Sequence, residues 1–474
     1  MVSYKEIVES LENEFSQAFD FIAKELVWNE EHVILCYYST MIDTAVVMEQ
    51  LQTIQRKFEA GEAEYGQTAF SEEMTFTIKQ FRESICNGET VIVFPKTDKM
   101  IRILLPKIAS REPSSPENEY VVRGGHDGFV ENLDVNINLI RKKLKSPDLK
   151  IEKHTIGAKS NTTVSIIYLT TKVDNEALKV LKARLDRIEA EMIYSSGQLE
   201  DYLEDVIWSP FPQFLNTERP DRAVANLVDG KIIIFSDSDP TALIGPITLF
   251  TFYESPDDFN GRVLVGSFYR LVRLASFFTA IFLPAFYIAV VSFHFEIMPI
   301  DLGEQVKSSV ANIPFRPIFE ALLLELLIEL IREASIRLPS PIGQTIGVVG
   351  GLVIGDAIVA AGLASNLMVI VVASTALASF VVPSVEMNTT VRLLRFPFMV
   401  LASMFGFFGI VIGSMLLFIH LLNLQSLNRP YLSPIIPFEP TKIKSIFFRL
   451  PYYKQVPQQR NFYLFSKKGK KKHD

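Results

Sequence analysis

LASFFTAIFLPAFYIAVVSF, Leu274–Phe293, is a stretch of twenty residues without a charge. A helix rises about 1.5 Å per residue, so this stretch reaches across the roughly 30 Å hydrocarbon core of a bilayer. The chain is therefore expected to cross a membrane, with Pro284 as a candidate kink in this first span. Arg262, Arg270 and Arg273 precede the stretch, and Glu296, Asp301 and Glu304 follow it. Basic residues mark the cytoplasmic flank of a span, which puts the region before Leu274 in the cytoplasm.

Downstream, Asp356 is the one charged residue between Ile342 and Val385. The Ser365-Asn366 pair near the middle divides that stretch into two segments joined by a tight turn, with a re-entrant arrangement as the alternative. A further apolar run covers Phe396–Leu424. Phe315–Leu338 is long enough to span but holds four glutamates and three arginines. At roughly 2.5–3.5 kcal/mol per charge at the bilayer centre, it is too costly to face lipid unless those groups pair or meet water. It reads as an amphipathic or cavity-lining helix. Four spans result, and both chain ends lie on the cytoplasmic side. Arg392 and Arg395 sit awkwardly in this count, in a short loop it places outside.

Upstream, the sequence repeats itself. NGETVIVFPKTDKMIRILLP at Asn87–Pro106 echoes VDGKIIIFSDSDPTALIGP at Val228–Pro246, and HVILCYYSTMIDTAVVMEQL from His32 echoes TTVSIIYLTTKVDNEALKVL from Thr162. In each pair a β-rich run leads into a turn or a helical pattern, in the same order. Two similar small α/β subdomains are expected, about 1–120 and 145–260, with a connector that includes the loop Glu112–Glu119. The expected organisation is a first α/β subdomain at 1–120, a connector and second subdomain at 121–265, a helical membrane domain at 266–425, and a basic cytosolic tail at 426–474.

The net charge of −7 arises mainly in the first half, while the last fifty residues carry only Glu439 and Asp474 as acids. The basic run Lys467–Lys472 beside a membrane domain suits anionic lipid better than nucleic acid. Cys36 and Cys86 show neither metal-ligand nor redox spacing and read as reduced and structural. The N-terminus lacks the apolar core of a secretory signal. The six histidines are scattered, and no nucleophile–base or HExxH pattern argues for an enzyme, a metal site or a cofactor. Gly124, Gly125 and Gly128 lead into a helical pattern ending near Leu144, where a structural turn and helix start outweighs a phosphate cradle.

Two features are candidates for function. Glu325, Glu329 and Glu333 recur every four residues and so drift only about 40° per step, forming one acidic stripe. The stripe either draws cations into a vestibule or is a solvated face paired with Arg332 and Arg337. In Gly343–Gly362, Gly347, Gly350, Gly351 and Gly355 share one side, where small residues permit close helix packing. Asp356 lies opposite with Val349, Val353 and Ala360, a face suited to a narrow, mostly apolar conduit with one ionisable position.

Long stretches resemble the A subunit of GerA-type bacterial spore germinant receptors: GFVENLDVNINLIRKKL from Gly128, SPFPQFLNTERPD from Ser209, RLPSPIGQTIGVVGGLVIGDAIVAAGL from Arg337, SNLMVIVVASTALASFVVPS from Ser365, RLLRFPFMVLASMFGFFGI from Arg392 and PYLSP from Pro430. The resemblance covers roughly residues 120–435. It implies a subunit of a nutrient receptor in the spore inner membrane, with a transporter-like B subunit and a lipoprotein C subunit as partners. It also implies homo-oligomerisation into a ligand-gated channel for monovalent cations, with nutrient recognition mainly in the B subunit. The chain departs from the family pattern at Asp134-Val135, where arginine-threonine is common, and at Asp356, often glutamine. The competing readings are a non-conducting scaffold and a secondary transporter, the latter expected to repeat its membrane half.

Overall fold

The computed structural model describes residues 18–449 except 63–65, 69, 105–115, 117, 118, 120, 122, 123 and 312, and leaves the side chains of 259, 260, 302, 340–349, 441, 442 and 445 undescribed. Most of the connector loop and the basic run Lys467–Lys472 lie outside the described residues. The chain divides into two compact units. The first holds the chain to Ile207, then Gln213–Ile247 and Ser426–Arg429; the second holds Trp208–Pro212, Thr248–Gln425 and the chain from Pro430.

In the first unit the order is β1 (Phe21–Trp28), β2 (Glu31–Tyr38), α1 (Thr44–Glu59), β3 (Ser71–Thr75), α2 (Ile78–Cys86), β4 (Thr90–Phe94) and β5 (Lys99–Ile103). After α3 (Leu133–Lys143) come β6 (Leu149–Ile156), β7 (Thr162–Leu169), α4 (Asn175–Leu185), α5 (Ser196–Leu203), β8 (Leu215–Thr217), α6 (Pro220–Val228), β9 (Ile232–Ser236) and β10 (Ala242–Gly245). The first five strands pair in the order β1-β2-β4-β5-β3 and the next five in the order β6-β7-β9-β10-β8. Every pairing within the two sheets is antiparallel. β2 is buried almost throughout because the sheet is covered on both faces: Ile34, Cys36 and Tyr38 pack with Phe81 and Ile85 of α2, and Val33, Leu35 and Tyr37 with Val47, Leu51 and Ile54 of α1. Cys36 and Cys86 are both free thiols.

The sequence echoes fall on equivalent elements. Asp43 and Asp174 cap α1 and α4, accepting the N–H groups of Ala45 and Glu176 at 3.1 Å. Gly88 and Gly230 enter β4 and β9 with φ of +83° and +88°, a conformation glycine adopts without steric cost. A Cβ at Gly88 meets Met41 at 2.8 Å, and one at Gly230 meets the Lys172 carbonyl at 2.5 Å. Both obstacles lie just after the second strand of their own sheet, so NG and DG serve one turn used twice.

The connector helix α3 is tied to both sheets. Arg141 reaches the first, donating from Nε and Nη2 to the Asp20 carboxylate at 2.8 and 2.6 Å, with both side chains buried. Its guanidinium lies 3.7 Å from the Tyr38 ring centre, and burial pushes the Tyr38 phenol well above its ordinary value. The Asn138 amide donates to the Thr40 carbonyl at 3.0 Å. Toward the second sheet, Phe129 meets Phe235 edge-on at 4.8 Å. Gly124 stands at a bend before α3, Asn132 caps the helix through the Val135 N–H at 3.1 Å, and Asp134 stands in its first turn. The departure at Asp134-Val135 therefore sits at the start of the connector helix, where a carboxylate is favourable.

Asn-Thr-Glu-Arg-Pro-Asp, from Asn216, has a local task as well. Glu119 accepts hydrogen bonds from the Thr217 hydroxyl, the Glu218 N–H and Arg222, while the buried Arg219 donates to the Gly125 carbonyl at 3.0 Å. Glu119→Gln is expected to cost about 1.5–3 kcal/mol locally, the range for a hydrogen bond to a charged group. Amide hydrogen exchange around Gly125 and Thr217–Arg222 should quicken while the β6–β7 amides stay protected.

In the second unit the helices are α7 (Pro256–Asn260), α8 (Val263–Phe293), α9 (Ile300–Ala311), α10 (Pro317–Arg337), α11 (Ser340–Ala360), α12 (Asn366–Phe380), α13 (Val385–Phe405), α14 (Phe407–Asn423) and α15 (Pro440–Phe447). Among the described residues α8 alone is long and apolar enough to cross a membrane by length and composition. The tight turn between α11 and α12 ends at Ser365, which caps α12. The apolar run Phe396–Leu424, read from sequence as one segment, is interrupted: Gly406, with φ +60° and ψ −137°, ends α13 and starts α14. Only glycine holds that conformation without strain.

Candidate functional site

The charges of α10 point the opposite way from a solvated amphipathic helix. Phe319, Leu323, Leu326 and Leu330 are exposed, whereas Glu320 and Glu325 are buried. The Glu325 carboxylate pairs with Arg395 of α13, the two side chains being 0% and 1% exposed, and Arg395 Nε donates to the Ala280 carbonyl of α8 at 3.1 Å. One turn on, Glu329 accepts from Arg392 at 2.6 Å and lies 4.0 Å from Arg332. Arg332 packs 4.3 Å from the Phe380 ring centre and reaches the Ser379 hydroxyl at 3.4 Å. At the exposed end Glu333 pairs with Arg337 at 2.5 Å.

Glu320 does different work: its Oε2 accepts the Ser365 N–H at 3.0 Å. That places a carboxylate at the first turn of α12, where it meets the positive end of the helix dipole. The Tyr287 hydroxyl lies 3.4 Å from the Ser365 hydroxyl, so α8, α10 and α12 converge on one capping point.

Of the acidic stripe, then, Glu325 and Glu329 are engaged by arginines inside the unit, and Glu333 is exposed with Arg337. Arg392 and Arg395, awkward as loop residues, are interior residues of α13 and supply the neutralising charge. The sequence signal for them was available: Arg392 and Arg395 stand three apart, and Glu325 and Glu329 four apart, so each pair shares a helix face.

The other candidate face lies on α11. Gly347 and Val349 fall among the residues whose side chains are not described. Val353 is 59% exposed, and Asp356 and Ala360 are exposed too. A Cβ built on Gly350, Gly351 or Gly355 meets nothing within 4 Å, so these glycines pack against no neighbour among the described residues. The close packing of glycines occurs elsewhere. A Cβ at Gly409 would stand 2.0 Å from the Leu401 carbonyl oxygen, and one at Gly413 2.7 Å from Phe398. Sequence reading missed these because nearly every position around them is apolar, which leaves no clear periodicity to interpret.

Among the described residues no group of three His, Cys, Asp or Glu side chains is placed to hold a metal. A cleft of about 650 Å³ belongs to the first unit beside the β6–β7 turn, lined by His154, Gly157, Asn161, Asp186, Glu189 and Glu191.

Fold and site together define a membrane protein in which a duplicated α/β region precedes helices built around an internally neutralised charge cluster. The chain matches the family described as Bacillus/Clostridium GerA spore germination protein over residues 9–461. It is 38% identical over 437 residues to spore germination protein GerQA of Bacillus cereus, spanning 91% of this chain and 87% of that protein. With spore germination protein A1 of Bacillus subtilis it shares 39% over 428 residues, 90% and 89% of the two chains. With the uncharacterized membrane protein YfkQ of Bacillus subtilis it shares 40% over 370 residues, 78% and 72%. Among solved structures, the N-terminal domain of the A subunit of the Bacillus megaterium spore germinant receptor GerK3 is similar at 22% identity and a TM-score of 0.39, covering 52% of this chain and 95% of that one. The chain belongs to the GerA family of spore germination proteins, which is not a family of enzymes.

Proposed function

We propose that this chain is the A subunit of a nutrient-sensing receptor in the spore inner membrane, and that several copies surround a path for monovalent cations. A transporter-like B subunit and a lipoprotein C subunit complete the receptor, and residues 1–265 and the basic tail at 426–474 face the cytoplasm. The observation that carries this reading is α11: a glycine-rich helix whose described part bears one carboxylate, exposed at Asp356 beside exposed Val353 and Ala360, with open space at its glycines. A helix with so little cover among the described residues suits packing against further copies around an axis. Of the acidic stripe, Glu325 and Glu329 serve cohesion, and Glu333 remains open to a vestibule.

The membrane domain, 266–425, uses α10 as a crossing helix. Its 21 residues span about 31 Å, its exposed face is apolar, and Glu325 and Glu329 meet arginines and Glu320 a helix N-terminus, which lowers the cost of placing them in a membrane. With α13 and α14 folded as a hairpin, α8, α10, α11, α12, α13 and α14 make six crossings. That even number keeps both ends on one side and replaces the four counted from sequence.

Asp356→Asn tests the path. The variant chain should form the same oligomer in lipid nanodiscs by native mass, while potassium release on germinant addition changes at least severalfold in rate or in selectivity over sodium. A stable monomer, or unchanged release from an intact complex, favours a non-conducting scaffold; substrate uptake by the isolated chain favours a transporter.

A further inference from the structure

The chain has two tryptophans, and the structure treats them oppositely. Trp28 is 2% exposed, enclosed by the rings of Phe58 and Phe94 at 5.8 and 5.9 Å. Trp208 is 96% exposed, yet the four residues that follow it are firmly held. The Ser209 hydroxyl lies 2.9 Å from Nε2 of His420, and the Phe211 N–H donates to the same hydroxyl at 3.2 Å. The Phe211 ring, fully buried, packs 6.0 Å from the His420 ring and 6.3 Å from that of Tyr431. The Thr390 hydroxyl donates to the Pro210 carbonyl, and the Tyr431 hydroxyl to that of Pro212 at 2.8 Å. Trp208 is thus presented to the surroundings from a fixed base.

That base marks a boundary on α14. Phe408, Val411, Met415, Phe418 and Leu422 are exposed along the helix, and the apolar face stops at Asn423, which is exposed and polar. His420 stands in the last turn before the stop, and one residue of chain, at most about 3.8 Å between Cα atoms, separates its partner Ser209 from Trp208. An exposed indole held at the level where an apolar helix face ends matches the chemistry of the headgroup region, where tryptophan sits with its ring in the apolar margin and its N–H in the wet layer.

We propose that Trp208 is an interfacial anchor, inserted among the phospholipid headgroups where α14 leaves the bilayer, and that it fixes the depth of the second unit. The proposal rests on the reading that α14 crosses the membrane. Its occupant is the bilayer itself, because the exposed indole is held at the level where the apolar face of α14 ends.

Trp28→Phe leaves Trp208 as the sole tryptophan of the full-length chain, excited selectively beyond the tyrosine band; should that core change impair folding, the difference between unsubstituted protein and Trp208→Phe gives the same signal. In nanodiscs of phosphatidylcholine brominated near the top of the acyl chain, Trp208 emission should fall at least about twofold relative to unbrominated lipid, and aqueous acrylamide should quench it several-fold less than free tryptophan. Unchanged emission in brominated lipid overturns the anchor, whether acrylamide reaches the indole or a protein partner shields it. A control carries Trp28→Phe, Trp208→Phe and Phe418→Trp. If bromine quenches the control and not Trp208, the anchor alone fails; if it quenches neither, the crossing by α14 fails with it.

Discussion

Glu325→Ala is expected to destabilise the helical unit by about 3–5 kcal/mol, the cost of leaving one partner of a buried ion pair unopposed. The stranded group is the Arg395 guanidinium, whose remaining hydrogen-bond acceptor among the described residues is the Ala280 carbonyl at 3.1 Å and which cannot reach water from 1% exposure. Thermal melting of the detergent-solubilised chain, read through protease resistance of α8 and α13, should show the loss. Arg395→Met should cost a similar amount, since it strands the carboxylate. The double replacement Glu325→Leu with Arg395→Met is expected to recover most of the stability, because apolar pairs of similar volume commonly replace buried ion pairs at little cost. The pair is also incompletely satisfied: Glu325 Oε1 and Arg395 Nη2 have no hydrogen-bond partner among the described residues. Recovery in the double variant would identify the pair as a device for matching α10 to α13 in register. Failure to recover would mean that either charge has a further partner.

The same pair shows what the sequence could and could not disclose. Glu325 and Glu329 were visible as a stripe, and Arg392 and Arg395 as a difficulty for the span count, but nothing local in the chain says that residues 70 apart neutralise one another. A helix period specifies a face without specifying its neighbour, so the stripe was equally compatible with water, cations or arginines. The α/β region was easier to read. Each echo there combined a β-rich run with a capping aspartate or a turn glycine, Asp43 with Asp174 and Gly88 with Gly230, and those residues act through short-range geometry. The membrane half loses such punctuation. From Phe396 to Leu424 hydrophobicity is nearly uniform, and the break at Gly406 depends on a backbone conformation that composition does not announce. On α11 a helix period assigns glycines to one side and Asp356 to another without saying what covers either, and among the described residues nothing stands within 4 Å of a Cβ at Gly350, Gly351 or Gly355.

Gly409→Ala should be among the most damaging single-methyl additions in the chain. The new Cβ would stand 2.0 Å from the Leu401 carbonyl oxygen and 2.6 Å from its carbon, and both atoms are backbone, so no rotamer change relieves the overlap. The α13–α14 hairpin must open, at about 3 kcal/mol, the upper end of the usual cost of overpacking. Gly413→Ala is expected to cost less, because its nearest obstacles are side-chain atoms of Phe398 and Leu401 at 2.7 and 3.0 Å, which can shift. Gly351→Ala meets nothing within 4 Å, and it gains up to about 1 kcal/mol of helix propensity, so the isolated chain should melt no lower than the unsubstituted one. Comparing the melting of the three variants with their native mass in nanodiscs separates two roles of glycine in one protein. Gly409 and Gly413 bring helices of the same chain together, and their replacement should lower the melting temperature. If the α11 glycines bring copies together, Gly351→Leu should leave the monomer's melting unchanged while dissolving the oligomer. An oligomer that survives Gly351→Leu would assign that face to lipid and move the axis of any ring to another helix.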